Sequence, residues 1–364
     1  MNVKISDYIV KFLEKKKFSH VFGITGGGAM HLNNSFGNSS KMKFIFFHHE
    51  QSASMAAESY FRTSNKPGLL HTTSGPGATN AITGVTGAWI DSIPMFIISG
   101  QVPTKDMINK TKTRQIGVQE INIIDLVKPI TKYSKVVNEP EDIDIILNEA
   151  FEIMLEGKPG PVWIDVPLDI QSKFLNTKKI KIYKKNKHKK IPKFKLKDAQ
   201  KLLKLLNFSS KPLLIIGNGI HISNTTKEFT SLFNKLKVPV ISSWNSSDII
   251  NSQNNLYVGR MGIFGDRAAN FAVEHSDLII VIGSRLSIPQ TGYDVTKFSP
   301  NSKKIILNIS TEEINSKKFK NIALKLSCDL KYYMPFLNKF LKNKKIKKFY
   351  KFKNLLIDWK KNYP

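Results

Sequence analysis

One cysteine, Cys328, stands in a chain of 364 residues. That excludes an intrachain disulfide framework and fits a reducing compartment, so a cytoplasmic protein is expected. Long hydrophobic runs are missing as well. A stretch such as Leu278-Ile279-Ile280-Val281-Ile282 falls far short of the roughly 20 residues that span a bilayer. Lys4, Asp7, Lys11 and Glu14 interrupt the amino-terminal segment, which therefore lacks the apolar core of a signal peptide. Acidic side chains are scarce: 28 Asp and Glu face 56 Lys and Arg, a formal net charge of +28. No recognised nucleic-acid motif accompanies that charge. The lysines crowd into residues 178–190 and 339–353 of a chain broadly rich in Lys, Asn and Ile. Solvated lysine is the expectation, with neither nucleic acid nor membrane as partner. No short-period repeat marks a solenoid.

What is present fits two ordinary α/β domains. The hydrophobic content of 41% is enough for two cores. Short apolar runs without alternation, at residues 21–24, 44–47, 69–72, 94–99 and 162–166, read as strands buried on both faces of a parallel sheet. Helical patterns lie between them. Ser6 is placed to cap a helix with Ile9, Phe12 and Leu13 on one face, and further helices are expected over 52–62 and 78–89. Gly100 bounds the fourth strand, and Pro167 ends the fifth. The second set of strands, 213–216, 238–242, 278–282 and 305–309, empties into turns of Gly, Ser or Asn, where ligands bind in open α/β sheets. The fold class expected is thus α/β, with two doubly wound parallel-sheet domains. Their boundaries are 1–172 and 193–340, with a lysine-rich linker at 173–192 and a basic tail at 341–364.

Chemistry concentrates early. Phe46-Phe47-His48-His49-Glu50-Gln51 puts one carboxylate after an apolar strand, and Thr73-Ser74-Gly75-Pro76-Gly77-Ala78-Thr79-Asn80 puts a glycine-rich turn after the next. His49-Glu50-Gln51, Ala56-Ala57-Glu58-Ser59-Tyr60, the turn at 74–80, Ala88-Trp89-Ile90-Asp91-Ser92-Ile93-Pro94, Gly100-Gln101-Val102-Pro103 and, more loosely, Gly117-Val118-Gln119-Glu120 follow in order. In these motifs the chain resembles the acetolactate synthase group of thiamine-diphosphate enzymes, and the resemblance extends over nearly its whole length. It implies a first domain that binds the aminopyrimidine of thiamine diphosphate. Glu50 would be the catalytic carboxylate, sharing a proton with the pyrimidine so that the ring's imino form can take the C2 proton of the thiazolium. Pro76, Asn80 and Gln119 would line the pyrimidine side, with the Gly75 turn beneath the ring. Gly26, Gly27 and Gly28 would form the loop that presses on cofactor and substrate. His49 is open between orienting Glu50, satisfying a backbone group and moving protons; Glu58 is expected to cap or to form a salt bridge.

The second domain resembles the family's central domain, which cradles FAD in a non-redox role. Gly217-Asn218-Gly219 lacks a third glycine at the dinucleotide spacing. Gly262, Gly265, Gly283 and Arg285 match FAD-contacting loops, and Ser92 matches a further contact. Lys158 stands where the family has an arginine, with loss of a planar bidentate donor, and Asn308 replaces an acidic residue.

Family members continue into a third domain, where Gly-Asp-Gly and an Asn-Asn pair hold the Mg²⁺ that bridges to the diphosphate. Here Asn254-Asn255 precedes Gly265-Asp266-Arg267, the wrong order, so no metal ligand is expected in this chain. The expectation is a homo-oligomer, or a partner chain that carries the diphosphate-binding domain, with this chain inactive alone. Pyruvate would be decarboxylated and its two-carbon unit passed to a second 2-keto acid. Around Thr291-Gly292-Tyr293 the chain resembles homologues of surface-polysaccharide pathways instead, whose acceptor is a keto sugar. An inactive remnant or binding protein is the third reading.

Overall fold

Charge and apolar runs alternate along the chain with the rhythm of crossover connections, and the structure, a computed structural model, bears that out. It describes residues 2–108, 113–184, 194–316 and 318–363. Two compact units emerge, Met1–Lys187 and His188–Pro364.

The first unit holds strands β1 (Asn2–Lys4), β2 (His20–Gly23), β3 (Lys43–Phe46), β4 (Gly68–Thr72), β5 (Met95–Gln101), β6 (Tyr133–Val136), β7 (Val162–Pro167) and β8 (Phe174–Asn176). Six of them form one sheet in the order β3-β2-β4-β5-β7-β6, every neighbouring pair parallel. Leu69, Leu70, Phe96, Ile97 and Ile98 are fully buried, as strands covered on both faces must be. The helix Ile5–Lys15 buries Ile9, Phe12 and Leu13 against Leu32, Phe36 and Ile146.

Several expectations need correction. Ser6 does not cap that helix: Lys4 holds the cap position, and the Ile5 amide donates to the Lys173 carbonyl at 3.0 Å. Ser6 is buried in the first turn and accepts a hydrogen bond from Ser35. The expected helix at 78–89 starts earlier, at Pro76, and is interrupted at Ala81, giving Pro76–Asn80 and Ile82–Asp91. Gly100 does not bound β5 but lies inside it, because the ladder with β7 continues through Gly100 and Gln101; a Cβ at Gly100 would come 2.2 Å from the Gly28 carbonyl oxygen. The lysine-rich stretch opens with β8, paired antiparallel to β1; residues 185–192 of it lie outside the described residues.

The second unit repeats the plan with β9 (Pro212–Ile216), β10 (Val240–Ser242), β11 (Tyr257–Arg260), β12 (Leu278–Ile282), β13 (Lys303–Asn308) and β14 (Ile322–Ser327). Their order is β11-β10-β9-β12-β13-β14, again parallel throughout. Lys304 is fully buried, and its ammonium donates to the carbonyls of Ser299, Ser302 and Lys320. Residues 350–362 of the basic tail form a helix that buries Phe352 and Leu356. Among the described residues no helix is long and apolar enough to cross a membrane.

Candidate functional site

In a doubly wound sheet the chain winds one way and then the other, and a crevice opens at the carboxyl ends of the two strands where the direction reverses. In the first unit those strands are β2 and β4, since β3 lies on one side of β2 and β4 on the other. The loop after β2 carries Gly26-Gly27-Gly28, and the turn after β4 carries Thr73-Ser74-Gly75. The two touch. A Cβ at Gly26 would lie 2.5 Å from the Thr73 side chain, and one at Gly28 would lie 2.5 Å from Ser74 Oγ. A Cβ at Gly27 would meet nothing within 4 Å, so that residue turns toward open space. Thr73 Oγ1 is buried there without a hydrogen-bond partner among the described residues.

Glu50 arrives at this crevice as the first residue of the helix Glu50–Ser64, after the three residues that follow β3. His49 caps that helix: its Nδ1 accepts from the Gln51 amide at 3.1 Å. Of the roles open to His49, satisfying a backbone group is the one seen. A carboxylate in a first helical turn is favoured by the helix dipole. Glu50 is buried, and its Oε2 accepts from Asn80 Nδ2 at 3.0 Å. Asn80 reaches it because Pro76, at the first helical position, starts a short helix as soon as the glycine turn ends. Gly77 permits the approach: a Cβ there would lie 3.3 Å from Glu50 Oε1 and 2.7 Å from Thr73 Cγ2. Glu58 faces away, paired with Arg62, which also reaches Asp91.

Gly75 has φ +57° and ψ −122°, a conformation close to a type II′ turn and strained for any residue with a side chain. A Cβ at Gly75 would also stand 2.0 Å from the Gln119 carbonyl oxygen. Gln119 itself has φ +56°. Glu50, Asn80, the Gly75–Gly77 turn, Gln119 and, through Thr73, Gly26 thus come together from four separate stretches of sequence.

Two further buried titratable groups lie in the same sheet, and sequence reasoning assigned neither. His71, on β4, lies 3.1 Å from the Ile98 carbonyl oxygen through Nδ1 and 2.8 Å from Asn33 Oδ1 through Nε2. Burial pushes its pKa down to about 4. Asn33 in turn donates to the Gly26 carbonyl at 3.1 Å. On β7, Asp165 accepts from Ser99 Oγ at 2.5 Å and from Gln101 Nε2 at 3.0 Å. Burial pushes Asp165 up to about 7, while those two hydrogen bonds hold it down. The available signal was a lone histidine and a lone aspartate inside otherwise apolar strands.

The remaining expected residues are spread over both units. Ser92 is buried in left-handed backbone at the end of the helix Ile82–Asp91, and Lys158 is half-buried; both belong to the first unit. In the second unit the switch point lies between β9 and β12; backbone packs on backbone there and in the loop after the edge strand β11. A Cβ at Gly219 would lie 2.8 Å from Gly283 Cα, one at Gly262 would lie 2.4 Å from the Pro289 oxygen, and one at Gly265 would lie 2.4 Å from the Arg260 oxygen. Close approach of the chain to itself therefore accounts for these glycines without a ligand. Arg285 is exposed. Beside Gly265, the exposed rings of Trp244 and Phe264 stand 5.6 Å apart. Among the described residues no group of three or more His, Cys, Asp or Glu is placed to hold a metal ion.

Comparison with known proteins assigns both units. Residues 3–125 match the family described as thiamine pyrophosphate enzyme, N-terminal TPP binding domain, and residues 199–337 match thiamine pyrophosphate enzyme, central domain. The acetolactate synthase large subunit of Cyanidium caldarium is 32% identical over 367 residues, covering 98% of this chain and 61% of the relative. The probable acetolactate synthase large subunit of Methanocaldococcus jannaschii is 35% identical over 318 residues, 86% of this chain and 52% of the relative. The chloroplastic acetolactate synthase of Arabidopsis thaliana is 32% identical over 353 residues, 94% and 50% respectively. The chain thus spans between half and three fifths of the length of these relatives.

Proposed function

The chain belongs to the thiamine pyrophosphate enzyme family, of which it carries the N-terminal and central domains, and from that premise we propose that it forms the pyrimidine side of a carboligase acting on 2-keto acids. The observation that carries this reading is the buried Glu50 carboxylate, held by Asn80 at 3.0 Å over a glycine turn at the sheet's switch point. The site fits an aminopyrimidine in kind. It offers one carboxylate able to share a proton with a ring nitrogen, a glycine floor, and the unpartnered Thr73 hydroxyl. Thiamine diphosphate, when bound, supplies the electron sink for decarboxylation and carbon–carbon bond formation.

The chain's own residues do the rest. Glu50 holds or releases a proton at its carboxylate, in a site with little water to compete. Asn80 fixes the orientation of that carboxylate. Gly75 and Gly77 keep side chains out of the space above the turn, and Gly26, Gly27, Pro76 and Gln119 wall it. Mg²⁺ and the diphosphate would be held by the family's diphosphate-binding domain. Pyruvate as donor and a second 2-keto acid as acceptor are the proposed substrates, in a cytoplasmic setting. FAD in the second unit is supported by the exposed Trp244–Phe264 pair beside Gly265. Gly262, Gly283 and Arg285 complete the proposed contact set within that unit.

A second acceptor class, a keto sugar, is favoured by the loop after the helix Ile288–Thr291, where Tyr293 is 88% exposed and free to stack on a sugar ring. The test is product analysis. The chain is incubated with pyruvate, thiamine diphosphate, Mg²⁺ and a diphosphate-binding domain from a relative, with 2-ketobutyrate or a keto sugar as competing acceptor. Acetolactate-type products support the first reading, sugar adducts support the second, and no product with either acceptor counts against both.

A further inference from the structure

Gln119 carries a conformational cost. A residue with a side chain and φ +56° persists only where its surroundings over-determine it. The chain on both sides of Gln119 shows what does so. Glu120 is buried, and its carboxylate collects backbone amides: Ile108 donates to Oε1, and Ile116 and Gly117 donate to Oε2 at 3.2 Å each. Ile121 follows, and its carbonyl accepts from Gln101 Nε2 at 2.9 Å. That same amide nitrogen donates to Asp165. Asp165 is fixed by Ser99, and Ser99 accepts from the Trp163 indole at 2.7 Å. Between these anchors, Gly117 and Glu120 are buried while Val118 is 83% exposed and Gln119 is exposed.

We propose that Glu120 and Asp165 are positioning residues, two buried carboxylates that clamp the segment 113–122 from either side. The clamp holds the Gln119 backbone on Gly75 and presents the Gln119 and Val118 side chains to whatever occupies the crevice. Both carboxylates have their mapped contacts from donors alone: three backbone amides for Glu120, and Ser99 and Gln101 for Asp165. A neutral amide in either place would turn an NH₂ toward a donor and lose at least one arm. The expected beneficiary is a small ligand gripped by a strained but rigid residue. This inference rests on the pyrimidine-site reading for the ligand's identity; the clamp itself does not depend on it.

The test is backbone amide exchange in the whole chain at pH 7.5, comparing the native protein with Glu120→Gln, Asp165→Asn and Gln101→Met. The last variant cuts the arm to Ile121 and leaves the Ser99–Asp165 bond, so it serves even if Asp165→Asn fails to fold. Losing a hydrogen bond to a charged group should speed local opening by about 10- to 100-fold. That acceleration is expected in 113–122 and not in β5 or β7. Unchanged exchange in 113–122, or an acceleration spread evenly over β5 and β7, would overturn the clamp. Protection of the segment by thiamine diphosphate with Mg²⁺ is read separately. Its failure, with the local acceleration intact, would count against the pyrimidine reading and leave the clamp standing.

Discussion

Asp165 and His71 sit in the same sheet and push its pH dependence in opposite directions. An aspartate ordinarily titrates near pH 4 and a histidine near 6.5. Burial raises Asp165 to about 7 and lowers His71 to about 4. Between about pH 4 and 7 the folded chain keeps a proton on Asp165 that the unfolded chain has lost. Stability therefore falls as pH rises through that window, by roughly 4 kcal/mol at about 1.4 kcal/mol per unit. Between about pH 4 and 6.5 the unfolded chain binds a proton at His71 that the folded chain excludes. Here stability rises with pH, by roughly 3 kcal/mol. The two contributions nearly cancel in the native protein. Asp165→Asn should expose the histidine, leaving a first unit that gains about 3 kcal/mol relative to wild type from pH 4 to 6.5. His71→Leu should expose the aspartate and give the reverse trend. Urea unfolding at pH 4, 5, 6 and 7, read as the difference from wild type at each pH, isolates the two groups. Variants that both followed the wild-type profile would refute the reasoning.

Other substitutions have outcomes fixed by the same geometry. Gly75→Ala sets a Cβ 2.0 Å from the Gln119 oxygen in left-handed backbone, and should cost about 2 kcal/mol or more in urea unfolding. Gln119→Gly relieves a positive φ and should cost little, or add up to about 1 kcal/mol of stability. Lys304→Met strips three carbonyls of their shared donor; a loss of roughly 2–4 kcal/mol is expected, seen as a lowered urea midpoint of the second unit.

The sequence was most legible where strands are buried on both faces. β4, β5, β7, β9 and β12 were placed to within two residues, because central strands are continuous apolar runs. The strands without a reading of their own, β6, β11 and β14, are three of the four sheet edges. An edge strand has a neighbour on one side only. Tyr133-Ser134-Lys135-Val136 carries no apolar signal to find. β1 and β8 escaped notice for a related reason: each has three residues, mostly exposed or half-buried. At the site, Glu50, Asn80 and the glycine turn were legible because motif order gave them away. The roles of Asp165, Gln101, His71 and Asn33 were not, since a hydrogen-bond partner 38 to 64 residues distant leaves no periodicity. Ser6 shows the opposite failure, a good cap residue two positions past the cap at Lys4, because β1 and the Lys173 carbonyl set where the helix begins.

Exchange of the C2 proton of bound thiamine diphosphate separates cofactor activation from everything that happens to the keto acid. It is to be followed in D₂O by quenched-flow NMR, with Mg²⁺ and a diphosphate-binding domain supplied, for the native chain and for Glu50→Gln. Gln keeps the volume of Glu50 and can still meet Asn80, but it cannot share a proton with the pyrimidine. Slowing by roughly 10²–10⁴-fold in Glu50→Gln, with cofactor demonstrably bound, is the expected result. Exchange at the native rate in that variant would remove Glu50 from its role, and the pyrimidine site with it.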